Sequence, residues 1–137
     1  MTWSTSEIEY EGFPLLLRKP DYDNIWQHRK KLTQLVSIEH LLEEVMANGL
    51  PKKAYNKSLS DFDHYMCTIF EGSQRGIIFL IETFAGKRNY HYYTLPQYKM
   101  TDHVDEAKNK FSVDLEVSVS LDPHWGFFDA YPVVLFK

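Results

Sequence analysis

The chain has 137 residues, of which 44% are hydrophobic and 25% are charged, and its formal net charge is −4 at pH 7. This composition is typical of one globular domain spanning residues 1–137, and it excludes both a disordered chain and a broad electrostatic attraction to nucleic acid phosphates. The single cysteine, Cys67, excludes an internal disulfide and a zinc site made mainly of thiolates.

The N-terminal segment, residues 1–20, predicts a β-hairpin and no targeting sequence. Two strand-like runs, 3–10 and 13–18, flank the turn pair Glu11 and Gly12, and Pro20 ends the second run. We expect this hairpin to extend the main sheet or to cover one end of it. The segment lacks the basic start and continuous apolar core of a secretory signal or membrane span, so we expect a cytoplasmic protein without membrane contact.

The segment from Asp23 to Asn48 fits two different periods. Its apolar residues fall near helical spacing, and Gly49 and Pro51 follow it as a helix stop. The residues from Gln34 to His40 also alternate in the manner of a strand and carry β-branched side chains at their centre. Periodicity alone favours a helix here, and a strand is the alternative.

Two further helices and a hairpin follow in chain order. An apolar stripe predicts a helix between Ser58 and Gly72, with Ser58 and Asp61 in capping-box positions. The β-branched run 75–84, a turn at 85–87 and the tyrosine-rich run 88–94 predict a β-hairpin. Apolar residues at helical spacing predict a second amphipathic helix over 100–111. The stripe of the first helix consists of Leu59, Phe62, Met66, Ile69 and Phe70.

The run from Ser112 to Leu121 alternates strictly between apolar and polar residues. This alternation predicts a strand with one dry face and one wet face. The last segment, residues 122–137, is rich in aromatic residues, and we expect it to close one end of the core. An aromatic-lined ligand pocket is the alternative for this segment. Its aromatic residues are Trp125, Phe127, Phe128, Tyr131 and Phe136.

Four short motifs in fixed order carry a resemblance to a known family. They are GLP at 49–51, IETFAGKRNYHYYT at 81–94, DPHW at 122–125, and Tyr131 followed by Pro132. The chain resembles a bacterial family of domains of unknown function, the one numbered six hundred ninety-five, and is similar to the regulators of ribonuclease activity B. Where the pattern has a tyrosine three residues after the tryptophan, this chain has Phe128.

The resemblance implies an α+β fold with a ferredoxin-like βαββαβ antiparallel sheet over residues 32–121. Two helices would cover one face of this sheet, and the N-terminal hairpin would be added to it. The resemblance also favours a strand over a helix for residues 32–41. It implies no accepted activity and no catalytic residues, and its link to ribonuclease regulators implies binding and inhibition of an enzyme by protein contact.

Three side-chain pairs are candidates for chemistry, one of a histidine with a cysteine and two of acidic residues. Cys67 follows His64 by three residues on a predicted helix, which brings a thiol near a base, and either His40 or His91 could complete a metal site with them. Without an oxyanion loop or a recognised ligand spacing, we predict neither catalysis nor metal binding there. The acidic pairs, Asp61 with Asp63 and Asp102 with Asp105, lie at helix starts, where the helix dipole favours acidic residues.

The tyrosine-rich strand supplies the predicted interaction surface. Alternation places Tyr90 and Tyr92 on one face and His91 and Tyr93 on the other, so one set could form an exposed aromatic platform with Trp125 nearby. We therefore predict a noncatalytic interaction or regulatory domain that binds a protein partner and needs no cofactor. The alternatives are a small-molecule binder or small enzyme with an aromatic pocket, and an RNA-related regulator, which the acidic charge disfavours.

Overall fold

The computed structural model of the protein describes residues 2–131, which contain both strands and helices. The strands are β1 (Trp3–Tyr10), β2 (Phe13–Pro20), β3 (Gln34–Leu41), β4 (Gly76–Phe84), β5 (Lys87–Thr94) and β6 (Leu115–Leu121). The helices are α1 (Lys53–Ser58), α2 (Ser60–Thr68), α3 (Thr101–Phe111) and α4 (Gly126–Ala130), and a short 3-10 helix covers Ile25–His28. None of the helices in residues 2–131 has the length and apolarity needed to cross a membrane.

The six strands form one antiparallel sheet in the order β1-β2-β4-β5-β3-β6. The predicted N-terminal hairpin is confirmed, and it extends the sheet because β2 pairs with β4 over Leu16 to Arg18. The α+β class is therefore confirmed. The ferredoxin-like assignment of residues 32–121 stays a prediction.

Strand β3 decides the ambiguous segment in favour of a strand, so the helical interpretation drawn from periodicity is wrong. β3 pairs with β5 on one side and with β6 on the other, and alternate residues from Gln34 to His40 are buried. Val36 and Ile38 are completely buried. The apolar residues that mimic a helical stripe partly lie outside β3: Ile25 belongs to the 3-10 helix and Leu32 and Leu42 to the flanking loops, and all three are buried.

The two amphipathic helices are present where the sequence predicts them. Helix α2 buries Phe62 and Met66, and α3 buries Val104 and Ala107. The capping box is wrong: no side chain caps α2, and the hydroxyl of Ser58 donates instead to the carbonyl of Tyr55 at 2.5 Å. The reason is that the separate helix α1 runs into the start of α2, so Ser58 lies within helical backbone.

Both faces of the sheet are covered by packed side chains. Helices α2 and α3 pack on one face, where Tyr90 and Tyr92 of β5 join the core. The 3-10 helix and the C-terminal segment cover the other face, where Tyr93 stacks on Trp125 with ring centroids 4.3 Å apart. Trp125 is completely buried and Phe128 is 6% exposed, so the described residues of this segment, 122–131, pack on the core. Phe136 and Pro132 lie outside the described residues.

The predicted dry face of β6 is wrong for most of the strand. Leu115 is buried, but Val117, Val119 and Leu121 are 38%, 53% and 73% exposed. These side chains share the helix-covered face with Val36 and Ile38 of β3, but β6 is the edge strand, and burial decreases along it away from the end of α3. Local alternation cannot report how far a helix reaches across a sheet.

Candidate functional site

A cavity of about 470 Å³ lies between the N-terminal hairpin and helix α2, and it combines charged and polar side chains. We call it the arginine cavity. The hairpin contributes Trp3, Leu16 and Arg18, α1 and α2 contribute Asn56, Ser60, Asp63, His64 and Cys67, and β5 contributes Arg88. Its volume falls within the range of small-molecule sites, roughly 300–1,000 Å³.

A paired arginine and carboxylate form one wall of the arginine cavity. The guanidinium of Arg18 donates two hydrogen bonds to Asp63, from Nη1 to Oδ2 at 2.9 Å and from Nη2 to Oδ1 at 2.6 Å. The hydroxyl of Tyr90 also donates to Asp63 Oδ1, at 2.7 Å. The fork of Arg18 matches the carboxylate geometry, so this pair joins the hairpin to α2 and β5 in one fixed arrangement.

The electrostatics of this wall keep Asp63 ionised. Burial alone would raise the pKa of Asp63, but the hydrogen bonds and charge of Arg18, the Tyr90 hydroxyl and the charge of Arg88 outweigh it and lower the pKa. Burial likewise lowers the pKa of Arg18, and Asp63 outweighs it and raises the pKa. Both groups are therefore charged across the physiological range, and Asp63 has no proton to exchange there.

Arg88 is the unusual residue of the arginine cavity. It is only 4% exposed, its Nε donates to Thr83 Oγ1 at 2.9 Å, and its Nη2 donates to Asn56 Oδ1 at 2.9 Å. Within residues 2–131, no carboxylate lies within ion-pairing distance of its guanidinium. Arg88 is therefore a buried positive charge whose hydrogen-bond partners are neutral, an arrangement that costs free energy unless an anion completes it.

The neighbour of Arg88 in strand β3 is His40, which is 1% exposed. Burial, with the positive charge of Arg88 as a second cause, lowers the pKa of His40 to about 4. Its Nδ1 has no hydrogen-bond partner among the described residues, and its ring contacts Phe62 edge to face. His40 is thus a neutral ring at neutral pH, and protonation would add a second buried cation beside Arg88.

The depressed pKa of His40 predicts a loss of stability in mild acid. The unfolded chain binds this proton near pH 6.5 and the folded chain only near pH 4, so the stability is present above pH 6.5 and is lost as the pH falls toward 4. We expect His40 to contribute a drop of about 2 kcal/mol in the free energy of unfolding between pH 7 and pH 5. Urea denaturation at both pH values measures it.

His40→Leu should remove this part of the pH dependence, whereas His124→Leu, at an exposed position, serves as the matched control. Equal pH dependence in wild type and His40→Leu would contradict the assignment.

The His64 and Cys67 pair lies at the arginine cavity but lacks a reactive thiolate. The Sγ of Cys67 donates to Asp63 Oδ2 at 3.8 Å, and burial, with the charge of Asp63 next, raises the pKa of Cys67 to about 12. The thiol is therefore protonated at neutral pH, when only a thiolate is an effective nucleophile. The described part of the chain contains no group of three or more side chains placed to hold a metal ion.

His91 belongs to a second polar cluster, on the opposite face of the sheet. Its Nδ1 lies 2.7 Å from the Ser37 hydroxyl, its Nε2 contacts Glu82, and the hydroxyl of Tyr131 donates to Glu82. A serine, a histidine and a carboxylate are aligned here, but Ser37 lies in a strand paired on both sides. Its neighbouring backbone N–H groups are used by the sheet, which leaves no oxyanion donors.

The five residues of the predicted interaction surface are all buried. Tyr90, Tyr92, Tyr93 and Trp125 are 0% exposed and His91 is 5% exposed, because helices cover one face of β5 and the C-terminal segment covers the other. No open aromatic platform exists along this strand, and the space near Trp125 is filled by packed rings. A part for these residues in partner binding stays a prediction.

One sequence feature that is absent from the predicted site residues, the position of Arg88 in β5, indicates the arginine cavity. Arg88 shares its face of β5 with Tyr90 and Tyr92, so strand alternation places it under the helices. A basic residue at a position that should be buried is a stronger indicator of a site than the aromatic residues themselves. Arg18 is only one member of a basic run in the sequence, and Asp63 has a simple explanation in the helix dipole, so neither stands out.

Comparison with known proteins gave one family match. The model of a family described as a family of unknown function (DUF695) matches residues 3–131. Searches of curated proteins and of solved structures found no match. The matched range contains every residue that lines the arginine cavity. The family description supplies no activity, so function must be inferred from these residues.

Proposed function

The chain belongs to the family of unknown function DUF695, and we propose from the geometry of the chain that it is a noncatalytic binding domain. Its arginine cavity accepts an anionic group. A carboxylate or a phosphate has the required chemistry. The observation that carries this proposal is Arg88, which lines this cavity, is 4% exposed and has only neutral hydrogen-bond partners.

The charges of the arginine cavity favour an anion even though the chain as a whole is acidic. Arg18 and Arg88 contribute two positive charges and Asp63 one negative charge, so the three side chains sum to one positive charge. Asn56, Ser60 and His64 lie at the same cavity and can supply hydrogen bonds to a bound oxyanion. Low-dielectric walls strengthen such an interaction relative to one on the open surface.

The same residues support binding without bond-making chemistry. The Cys67 thiol holds its proton, and the oxygens of Asp63 already accept hydrogen bonds from Arg18 and Tyr90. A general base or nucleophile needs a group that is free to act at neutral pH. The polar groups of this cavity are arranged to hold charge in place, which is what a binding or regulatory domain requires.

Replacing Arg88 with glutamine tests this function. Calorimetric titration with inorganic phosphate and with succinate, at constant ionic strength, should give saturable binding by the wild type. We expect Arg88→Gln to weaken that binding at least tenfold, since a hydrogen bond to a buried charge contributes about 1.5–3 kcal/mol. Arg29→Gln removes the same charge from an exposed position away from the cavity and should bind as the wild type does.

Circular dichroism must show that both variants are folded. The proposal is overturned if the wild type binds neither anion saturably, or if Arg29→Gln weakens binding as much as Arg88→Gln does.

The second candidate for the ligand is a protein partner in the cytoplasm, which would supply the anionic group as an acidic side chain. A neighbouring cavity of about 500 Å³ shares Trp3, His64 and Cys67 with the arginine cavity, so the two form a longer groove beside α2. Such a groove has room for an acidic polypeptide segment, in line with a regulator that acts by contact, such as the regulators of ribonuclease activity B. If the immobilised wild type retains a protein partner and Arg88→Gln does not, the result would support this source. Equal retention by the wild type and Arg88→Gln would count against it.

A further inference from the structure

The edge strand β6 has an exposed apolar side that nothing in residues 2–131 covers. Its outer edge faces away from β3. Three of the seven exposed large apolar residues of the described chain lie on the face that it shares with Val36 and Ile38: Val117, Val119 and Leu121. Edge strands in soluble proteins are commonly protected by lysine, proline or a bulge. β6 contains none of these, and its one charged residue is Glu116.

The sequence of β6 is nearly the same when read in either direction. LEVSVSL has Ser118 at its centre, with valines on either side of it and leucines at both ends, and only Glu116 and Ser120 break the symmetry. Two copies of this strand placed antiparallel with their Ser118 residues opposite each other would therefore pair apolar with apolar and polar with polar. Directly opposite residues share a face, so the register is consistent along the whole strand.

We propose that β6 pairs with β6 of a second copy of this chain, about a twofold axis at Ser118. In this register, Val117 of one copy faces Val119 of the other, and Leu121 faces Leu115. Glu116 faces Ser120, so no glutamate is opposite another glutamate. The interface uses the same surface twice, which is the requirement for a closed symmetric dimer.

The burial gradient along β6 supports a second copy as the occupant. The exposed fraction of the side chain rises from 3% at Leu115 to 73% at Leu121, because α3 ends close to Leu115 and far from Leu121. The twofold axis reverses this gradient in the second copy. The most exposed leucine of each chain is then placed beside the best-covered leucine of the other, which an unrelated extended peptide would not provide.

The opposite edge of the sheet does not have these properties. Strand β1 carries Glu7 and Glu9 among its exposed residues, and its sequence WSTSEIEY has no internal symmetry. Ser6 of β1 therefore offers a matched control, because it is an exposed serine in the other edge strand.

A charge-swap experiment at Ser118 tests the register directly. Sedimentation of the wild type should show a monomer and dimer equilibrium between about 5 and 500 μM, as expected for a small interface. Ser118→Lys and Ser118→Glu each place like charges opposite each other, so each variant alone should dimerise at least tenfold more weakly. An equimolar mixture of the two variants should recover the dimer, and Ser6→Lys should leave the wild-type equilibrium unchanged.

Three outcomes would overturn the proposal. They are a wild type that stays monomeric over the whole range, a dimer that neither Ser118 variant weakens, and a mixture of the two variants that stays monomeric. Ser118 is exposed, so circular dichroism should give native spectra for both variants.

Discussion

Replacing Trp125 with alanine is expected to remove about 4 kcal/mol from the free energy of unfolding, as large aromatic truncations in cores do. Trp125 is completely buried, stacks on Tyr93 with an interplanar angle of 5°, and donates its indole N–H to the carbonyl of Leu32 at 2.7 Å. The alanine variant loses this packing and leaves a buried carbonyl without its donor. Urea denaturation followed by far-UV circular dichroism measures the loss.

Trp26 provides the matched control, because it belongs to the same aromatic cluster but is only partly buried. Trp26→Ala should cost no more than about half as much, in proportion to the smaller apolar area it buries. Trp125→Phe keeps one aromatic ring but removes the N–H donor and part of the indole, so it should cost more than the about 1–2 kcal/mol of a lost hydrogen bond and less than Trp125→Ala. Equal losses in the two alanine variants would contradict this account of the core.

Replacing Asp63 with asparagine is expected to lower stability and to strengthen anion binding at the same time. Breaking a largely buried ion pair leaves Arg18 without its charged partner, which should cost about 3 kcal/mol, near the low end for such pairs because both side chains keep some exposure. The arginine cavity meanwhile loses its one carboxylate charge, so phosphate affinity should rise about tenfold. Effects in opposite directions separate the two roles of Asp63.

The stability part of this prediction depends on pH with a definite sign. The folded-state pKa of Asp63 is lowered, so its contribution is present above the unfolded value near 3.9 and is lost as the pH falls through the folded value. The stability gap between wild type and Asp63→Asn should therefore be constant from pH 8 to pH 5 and narrow below about pH 4. Denaturation midpoints at four pH values measure the gap.

Asp61→Asn, in the same first turn of α2 but exposed, is the matched control and should change stability and affinity little. A gap that persists unchanged at pH 2, or phosphate affinity that falls in Asp63→Asn, would be inconsistent with the ion-pair description.

Elements whose pattern is complete within a short window could be predicted from the sequence. The hairpins β1-β2 and β4-β5 have their strands and turns within about twenty residues each, and α2 and α3 carry full apolar stripes. β3 could not be assigned from periodicity because loop residues around it imitate a helix. Its assignment depends on partners that come much later in the chain, from β5 and β6.

Strand alternation marks Arg88 as buried, but the complete arginine cavity could not be predicted from local patterns for a related reason. Arg18, Asp63 and Arg88 come from three separate elements, and no spacing rule connects them. Their meeting requires the register of β2 on β4, of β4 on β5, and the packing of α2 over both. In the sequence, these three charged residues therefore look like ordinary surface charges, and only the folded chain brings them together.

Two of the short motifs that carry the family resemblance, DPHW and GLP, stabilise turns and close backbone contacts in this chain. Asp122 of DPHW accepts hydrogen bonds from the N–H groups of Gly126 and Phe127 and from the Tyr93 hydroxyl, and so fixes the turn that inserts Trp125. Gly49 of GLP has φ +87°, and a Cβ there would come within 2.8 Å of the Ala85 backbone. Asp122 and Gly49 stabilise the scaffold and do not line the arginine cavity, whereas the motif at 81–94 contributes Arg88 to it.

The position of β3, between two strands that both follow it in the chain, has a consequence for folding during synthesis. The closest pairing partner of β3 in sequence, Lys87 opposite Leu41, is separated from it by 87 − 41 = 46 residues, and its other neighbour ends only at Leu121. Long closures of this kind slow folding, since chain entropy is lost before contacts form. During synthesis, β3 therefore stays unpaired until β5 has left the ribosome, and its second side stays unpaired until β6 has emerged.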